Sequence, residues 1–438
     1  MTAPEAALPA HAAGDAWLAP AGPASPPPGQ RDFRLLWAGG TANAFATNAT
    51  TLALPLVAVT VLHSSPLLLG FLAAAIWVPW TLIGLPAGAW VDRLPKRPVM
   101  IASSLLSAAL LISVPVAWSL RALTTGQVFV VALLIGGSSV FYLTAYNACI
   151  PLIVAKRDLT RANAKLQGGE SAMQILGPGS GGSLSQAFGA INGLLVNAGV
   201  LILSAVCLAG IRQRPPEEDR TRPRAGVRAE MGEGARFVLR DPYFRAIVTY
   251  AAMANFALDG YQSIYVAFLI RSAHVSPAVV GILLAAGGAG GIVGALAVQP
   301  LARRFGSARG FLIGKLVITP FGLLMPLAHS GPGVLFFFAG LFAVDGSIVA
   351  GNITLDTFRQ SYCPPDMLGR VVATTTLIKY STIPLGAILG GVLGEVAGLR
   401  PTMWIMTGAL VCFTALLLWG PLRAVRDFPD SPVTQGQG

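Results

Sequence analysis

The sequence predicts an all-α membrane protein in which twelve transmembrane helices form two pseudo-symmetric six-helix bundles. Of its 438 residues, 54% are hydrophobic and only 11% are charged, whereas a soluble domain carries roughly 25% charged residues. The apolar residues form runs such as 67–91 and 128–153, and about 20 residues suffice for a helix to cross the hydrocarbon core. In addition, the second half of the chain repeats features of the first. A soluble globular protein is therefore excluded.

Basic and turn-rich breaks divide the apolar sequence into twelve spans. The spans are predicted at 35–62, 66–91, 97–119, 125–154, 162–188, 190–211, 244–270, 277–302, 308–328, 332–358, 367–396 and 400–422. We expect an N-terminal bundle at 31–211, a basic linker at 212–243 and a C-terminal bundle at 244–423. The linker segment 229–239 has the pattern of a short amphipathic helix.

The two ends of the chain are predicted to be tails outside the bundles. Residues 1–30 are rich in Ala and Pro and lack the charged start and apolar core of a signal peptide. We expect a disordered N-terminal tail there. Residues 424–438 form the C-terminal tail.

The distribution of positive charge predicts the orientation. We assign the 30 Lys and Arg residues to the tails and loops on one side, with four exceptions: Arg121, Arg271 and Arg400 on the other side and Lys379 inside a span. Basic residues are retained on the cytoplasmic side. We therefore expect a multi-pass protein of the cell membrane with both termini in the cytoplasm. The net charge of +11 then indicates contact with anionic lipid headgroups at the cytoplasmic face and not nucleic-acid binding.

The chain matches itself in three places at nearly constant offsets. Residues 33–34 match 244–245 and 63–66 match 274–277 at an offset of 211, and 176–184 match 385–393 at an offset of 209. Two parallel six-helix halves joined by a long linker are typical of transporters that rock one bundle against the other around a site near the membrane midplane.

A charged motif follows the second span: Gly88, Asp92, Arg93, Lys96 and Arg97 in the spacing GxxxDRxxKR. A small residue lets two membrane helices approach closely, and a carboxylate is stabilised beside a helix N-terminus. We expect a conformational latch between the bundles, with topological charge alone as the alternative. The second half has Arg303 and Arg304 where this motif has Asp92 and Arg93.

The fifth span contains Gly177, Pro178, Gly181 and Gly182, in a stretch that also fits the written pattern GxGxxG of a dinucleotide loop. That loop requires a preceding strand, whereas this one lies inside an apolar span, so no cofactor is expected. Proline weakens a helix locally and glycines permit close packing. We predict a bend and packing seam, which the second half shares at Gly386, Gly390 and Gly391.

These motifs resemble those of the major facilitator superfamily, and the GPxxGG element resembles its drug/proton antiporter branch. With the segment 32–37, the chain is most similar to the twelve-helix branch that includes macrolide and tetracycline efflux proteins and an enterobactin exporter. The resemblance implies the major facilitator fold, in which spans one, four, seven and ten line a central cavity. The fourth span lacks the Arg found in many proton antiporters of the superfamily, so proton coupling does not follow from resemblance alone.

Ionisable side chains within spans are costly and mark transport pathways. The candidates for proton coupling are Asp259 on span seven, Asp345 on span ten and Glu170 on span five. For the two aspartates, a structural hydrogen bond or a pair with Lys379 is the alternative. Glu170 is equally compatible with binding a cationic substrate, with gating or with a structural contact.

The candidates for the substrate cavity are polar and aromatic residues of the expected lining spans, together with Lys379 on span eleven. They are Asn43, Asn48, Tyr142, Tyr146, Asn147, Asn255, Gln262, Asn352 and Lys379. Lys379 either neutralises an acid or binds an anionic substrate.

We therefore predict a secondary transporter that exports amphiphilic small molecules, such as drugs, antibiotics or siderophores, in exchange for protons. Import of a small metabolite by the same architecture is the alternative. The sequence has no signature of an enzyme, and its four cysteines are isolated singletons that indicate neither a metal site nor a disulfide. We expect a monomer.

Overall fold

A computed structural model describes residues 30–154, 159–212, 227–364 and 367–429. Its described part is mainly helical and contains no strand. The helices are α1 Gln30–Thr60, α2 Pro66–Arg93, α3 Lys96–Ser119, α4 Thr125–Ile153, α5 Leu159–Phe188, α6 Ala190–Ala209, α7 Val227–Arg240, α8 Pro242–Ala267, α9 Pro277–Phe305, α10 Ser307–Ile318, α11 Val334–Tyr362, α12 Leu368–Val396 and α13 Leu399–Ala415. The predicted all-α membrane fold is confirmed. Of the predicted tails 1–30 and 424–438, residues 1–29 and 430–438 lie outside the described residues. Gln30 begins α1, and residues 424–429 pack against the C-terminal bundle, where Phe428 lies beside Phe311 and Phe358.

Several helices begin where the sequence supplies an N-cap. Ser65 and Thr124 accept hydrogen bonds from the main-chain N–H groups of Leu68 and Gln127 at the starts of α2 and α4. Proline occupies the first position of α2, α8 and α9, where its missing N–H has no helical partner to lose. Short breaks between long helices follow from these caps.

Ten helical segments of the described chain are long and apolar enough to cross a membrane. Helices α5 and α8 have 30 and 26 residues, which is also sufficient length, but they carry more polar side chains. Both pack as full members of the bundles. These two helices therefore belong to the bundles despite their lower hydropathy.

The ninth predicted span differs from a regular helix. Helix α10 ends at Ile318 and continues as a tighter 3-10 coil over Thr319–Leu327. Pro320 and Pro326 lie in this coil, and proline cannot donate the main-chain hydrogen bond of a helix interior. The last turn of the seventh span is instead widened to a π-helix at Phe268–Ser272.

The bundles are related by the duplication seen in the sequence. Helix α1 packs on α5 and α6, and its counterpart α8 packs on α12 and α13. His63 and His274, equivalent at the 211 offset, both adopt left-handed backbone conformations, with φ of 48° and 53°. The bundles meet along two helix pairs, α2 with α12 and α5 with α9.

Helix α7 covers the linker segment that has the amphipathic pattern. It packs against α12 and α8, and Arg370 of α12 forms an ion pair with Glu233. Residues 213–226 of the linker lie outside the described part. We call the side of the molecule that carries α7 and the turn at Leu94 and Pro95 the linker side, and the opposite side the far side.

Candidate functional site

A cavity of about 440 Å³ lies between the bundles. Helices α1 and α5 of the N-terminal bundle and α9 and α11 of the C-terminal bundle form its walls. The lining polar side chains come from both halves: Asn48, Ser171, Gln174 and Asp345. We call it the central cavity.

Asp345 lies in the wall of the central cavity with its carboxylate against Gly287 of α9, where a side chain would collide with it. Asp259 of α8 is also half-buried. Neither carboxylate has a hydrogen bond or ion pair within the described residues. Tyr261 and Tyr265 of α8 lie within electrostatic range of both. The structure thus brings the two predicted carboxylates into one neighbourhood, and Asp345 is the one that lines the central cavity.

A second, polar cavity of about 110 Å³ lies inside the C-terminal bundle. It contains the predicted cavity residues Asn255, Asn352 and Lys379, together with Asp356 and Arg359. Arg359 donates to Asp356 at 2.6 Å. Lys379 lies within electrostatic range of these two residues, which sequence reasoning did not select as its neighbours.

Lys315 is a residue that sequence reasoning misplaces. The charge distribution assigns it to the loop cations, but it is 6% exposed on α10 inside the C-terminal bundle. Its ammonium group donates to the carbonyl oxygen of Ser347 at 2.8 Å and lies 5.9 Å from the ring of Tyr250. Its position seven residues into the predicted span 308–328 is the signal that could have placed it correctly.

The N-terminal bundle supplies the predicted aromatic wall. The rings of Tyr142 and Tyr146 on α4 stack with centroids 5.9 Å apart. Asn43 of α1 donates to Ser104 at 3.4 Å and, with Tyr142, lines a small cavity of about 50 Å³. Asn147 is exposed.

Asn48 and Asn255, which line the two cavities, are hydrogen-bonded within their own helices. The amides of Asn48 and Asn255 each donate to a carbonyl oxygen one turn earlier in their own helix. Gln262 is half-buried on α8. Glu170 of α5 is exposed and within electrostatic range of Tyr146.

The glycines of α5 form two packing contacts. Side chains at Gly177 and Gly181 would collide with α1 at and beside Ala49. Gly182 lies against Gly281 of α9, in the other bundle. The same glycine-rich segment of α5 therefore packs against α1 within its bundle and against α9 across the bundle interface.

Helix α12 repeats this arrangement. Gly386 and Gly390 lie against main-chain carbonyls of α8, the latter at Gly260, and Gly391 lies against Gly70 of α2 in the other bundle. Pro178 is inside the unbroken helix α5, and α12 has an internal proline at position 384, three residues before the position that matches Pro178. Both helices therefore contain a proline near their glycines, although the two prolines do not match at the 209 offset.

The far side of the bundle interface is closed. The main-chain N–H of Leu67, in the first turn of α2, donates to Glu395 at 3.4 Å, and that of Ala278, in the first turn of α9, donates to Gln186 at 3.1 Å. The two bonds are equivalent under the duplication, because Leu67 matches Ala278 at the 211 offset and Gln186 matches Glu395 at the 209 offset.

Closure extends from the far side to the middle of the molecule. Arg271, beyond α8, donates to the carbonyl oxygens of Val59 and Ser64 at 3.3 and 2.7 Å. Deeper in the interface, Thr81 of α2 donates to the carbonyl oxygen of Tyr380 at 3.3 Å, and the ring of Trp77 lies 5.4 Å from the Tyr380 ring.

The linker side is open where the latch motif lies. Within the described residues, a side chain at Gly84 or Gly88 would have no atom within 4 Å. Arg93 is exposed, and the side chain of Asp92 lies outside the described part. Lys96 and Arg97 donate to main-chain carbonyls of their own bundle, at Val91 and at the end of α6. Within the described residues, the hydrogen bonds between the two bundles lie on the far side or in the middle of the molecule, and none joins the bundles on the linker side.

Two helical bundles that enclose a cavity at their interface are the architecture of a membrane transporter. The chain belongs to the Major Facilitator Superfamily, whose family model matches residues 36–384. It is a multi-pass membrane transporter and not an enzyme, and the resemblance inferred from the sequence motifs is confirmed.

Characterised relatives include efflux proteins. The multidrug efflux pump Tap of Mycolicibacterium fortuitum is 28% identical over 381 residues, which are 84% of this chain and 91% of that protein. The enterobactin exporter EntS of Citrobacter koseri is 29% identical over 300 residues, 66% of this chain and 68% of that protein. Among solved structures, a mutant of the nucleoside transporter NupG has a TM-score of 0.75 at 13% identity, covering 89% of this chain and 99% of that one. At that identity the likeness concerns the fold alone.

Proposed function

We propose that this protein exports amphiphilic small molecules from the cytoplasm in exchange for protons. The observation that carries the proposal is Asp345, a carboxylate in the wall of the central cavity with no counter-ion among the described residues. An ionisable group at this depth marks a proton or substrate pathway. The names of the relatives Tap and EntS support export as the direction.

The orientation follows from the positive charges. The linker side carries α7, the helical part of the basic linker, so we place this side in the cytoplasm, with both termini, and the far side outside the cell. The open cavity then faces the cytoplasm and accepts substrate there. Closure of the linker side through the motif at Gly88 and Arg93 accompanies release on the far side.

In this mechanism, Asp345 binds a proton when the far side is open and releases it to the cytoplasm when the linker side is open. Substrate binding in the central cavity favours release of the proton, and protonation favours release of substrate. Asp259 is the second candidate for the same role, because it shares Tyr261 and Tyr265 as neighbours with Asp345.

The test uses everted membrane vesicles and a fluorescent cationic or neutral amphiphile. We expect an inside-acid pH gradient to drive uptake by the wild-type protein and by an Asp427→Asn control, whose site lies on the linker side outside both cavities. Asp345→Asn is expected to retain equilibration of the amphiphile but to lose its acceleration by the pH gradient. Gradient-driven uptake at the wild-type rate in both Asp345→Asn and Asp259→Asn contradicts the coupling role.

Direction is tested separately in a pump-deficient strain. Expression is expected to lower the cellular content of the amphiphile in a manner that depends on the proton gradient. A rise in content would instead identify an importer.

A further inference from the structure

Three cations and one acid lie together in the C-terminal bundle, among α8, α10, α11 and α12. They are Lys315, Arg359, Lys379 and Asp356, and we call them the basic cluster. The proton-coupling role proposed above uses none of them. Charged groups within a span are costly unless paired, so an excess of cations here requires an explanation.

The pairing within the basic cluster is incomplete. Arg359 binds Asp356 at 2.6 Å and Thr375 at 3.3 Å through its terminal nitrogens, but its Nε atom is buried without a hydrogen-bond partner in the described residues. The ammonium group of Lys379 has no hydrogen bond within the same part of the chain. A buried donor that is left unsatisfied destabilises the protein, so both groups are available to an incoming acceptor.

Lys315 adds a second positive charge that Asp356 does not neutralise. Its ammonium group is held by the carbonyl oxygen of Ser347 and lies within electrostatic range of Lys379. Two lysines that repel each other inside a membrane protein are both stabilised when an anion lies between or beside them.

A polar and an apolar cavity lie beside the basic cluster. The polar cavity of about 110 Å³ holds the cluster together with Asn255 and Asn352. An apolar cavity of about 280 Å³ lies between α9, α10 and α11, and Lys315 and Gly351 line both. Lys315 therefore stands between a space suited to an acidic head and a space suited to an apolar tail.

The duplication places the opposite charge in the other bundle. At the 209 offset, Lys379 of α12 matches Glu170 of α5. The basic cluster is therefore specific to the C-terminal bundle and is not a repeated scaffold element.

We propose that the basic cluster binds the carboxylate of an acidic amphiphile, which makes such molecules a preferred substrate class. This inference rests on the proposed transport function and names the chemistry that one wall of the site selects. Lys379 and the free Nε of Arg359 donate to the carboxylate, Lys315 adds long-range attraction, and the apolar cavity takes the hydrocarbon part.

Binding to the full-length protein in phosphatidylcholine nanodiscs tests the proposal. The probes are dansylaminoundecanoic acid and its primary amide, which differ in charge but hardly in size, titrated by fluorescence. We expect the acid to bind about tenfold or more tightly than the amide, because a hydrogen bond to a charged group is among the stronger ones. Lys379→Gln is expected to abolish this preference and Lys379→Arg to retain most of it.

The matched control is Arg309→Gln, which removes an exposed cation from the same helix as Lys315, outside the basic cluster. It is expected to leave the preference for the acid unchanged. Thermal unfolding of each variant checks that it is folded. If Lys379→Gln does not fold, Lys379→Met and Arg359→Gln provide the same comparison.

An acid that binds no more tightly than its amide, including a pair with no measurable binding, overturns the proposal. So does a Lys379→Gln variant that weakens both probes equally. If phosphatidylglycerol in the nanodisc displaces the acid in a Lys379-dependent manner, the cluster binds lipid headgroups and the substrate assignment is wrong. If the acid binds in a Lys379-dependent manner but is not transported in everted vesicles, the export function is contradicted and the binding site is not. If the pH gradient drives export of the amide as well as the acid, the preference for acids is contradicted and the export function is not.

Discussion

Arg271 of the C-terminal bundle donates a 2.7 Å hydrogen bond to the carbonyl oxygen of Ser64 in the N-terminal bundle. The same guanidinium reaches Val59, so one side chain joins the ends of two equivalent helices on the far side. Hydrogen bonds to a charged group contribute about 1.5–3 kcal/mol. This contact must break whenever the far side opens.

The Arg271→Gln variant is expected to open the far side more often. Loss of about 1.5–3 kcal/mol from the closed state raises the open population about tenfold or more. The measurement is the labelling rate, by a membrane-impermeant maleimide, of a cysteine introduced by Ser64→Cys in a variant without the four native cysteines. Ser64 is 4% exposed in the closed state, so labelling reports opening.

Arg400→Gln provides the matched control for this experiment. Arg400 also donates to a carbonyl oxygen on the far side, at Ala328 and 2.8 Å, but within the C-terminal bundle. Its loss should leave the labelling rate at Ser64→Cys unchanged. Equal acceleration by both variants would mean that general loosening, and not release of the interface, exposes the site.

Alanine substitutions at two glycines are expected to shift the conformational equilibrium in opposite directions. Gly182→Ala places a methyl group against the main chain at Gly281 and disfavours far-side closure. Gly88→Ala meets no atom within 4 Å in the described part of this conformation, but it obstructs the proposed linker-side closure. The labelling rate at Ser64→Cys should therefore rise for Gly182→Ala and fall for Gly88→Ala. A rate that changes in the same direction in both variants contradicts the latch.

Asp241 is expected to be a major contributor to the stability of the C-terminal bundle. It is 1% exposed, caps α8 by accepting from the main-chain N–H groups of Tyr243 and Phe244, and accepts a 2.5 Å hydrogen bond from Tyr362. Asp241→Ala should reduce the free energy of unfolding by about 2–4 kcal/mol, from the lost cap and the charged bond together.

Tyr362→Phe removes one of these interactions and should cost less, about 1–2 kcal/mol. Thermal or denaturant unfolding in detergent compares the two variants. A larger loss for Tyr362→Phe than for Asp241→Ala would contradict the leading role of the carboxylate at this end of α8.

The packing seam of α12 gives a further stability prediction. Gly390→Ala forces a methyl group against the carbonyl of Gly260 and should destabilise the protein by about 1–3 kcal/mol through overpacking. Gly408→Ala on α13 meets no atom within 4 Å among the described residues and should be neutral or stabilise by up to about 1 kcal/mol, as alanine favours a helix. Unfolding temperatures in detergent provide the comparison, and equal losses would contradict the close contact.

The fold can be predicted because its determinants are local or periodic. Hydropathy and length set the helices, and matches such as Ser65-Pro66 with Ser276-Pro277 reveal the duplication and helix starts. Pro320 and Pro326 are consistent with the break after Ile318, but an apolar run alone does not distinguish a 3-10 coil from an α-helix.

The site is less accessible to prediction because it depends on tertiary placement. Asp259 and Asp345 stand out as ionisable residues in spans, but they lie on different helices, and their common neighbours Tyr261 and Tyr265 are known only from the tertiary structure. A charge count that treats cations near a span end as loop residues misses Lys315. The far-side bonds of Leu67 and Ala278 use main-chain donors, which carry no signature in side-chain identity.

The use of main-chain partners on the far side limits how evolution can adjust this closure. An ion pair that is lost by mutation can be restored by exchanging the charges of its two side chains. Arg271 binds main-chain carbonyl oxygens, so no such exchange between the bundles can restore its contact. Suppressor mutations of Arg271 variants should therefore arise at a distance, where they weaken the opposing closure on the linker side. A genetic selection for regained transport would then map the residues of the second gate directly.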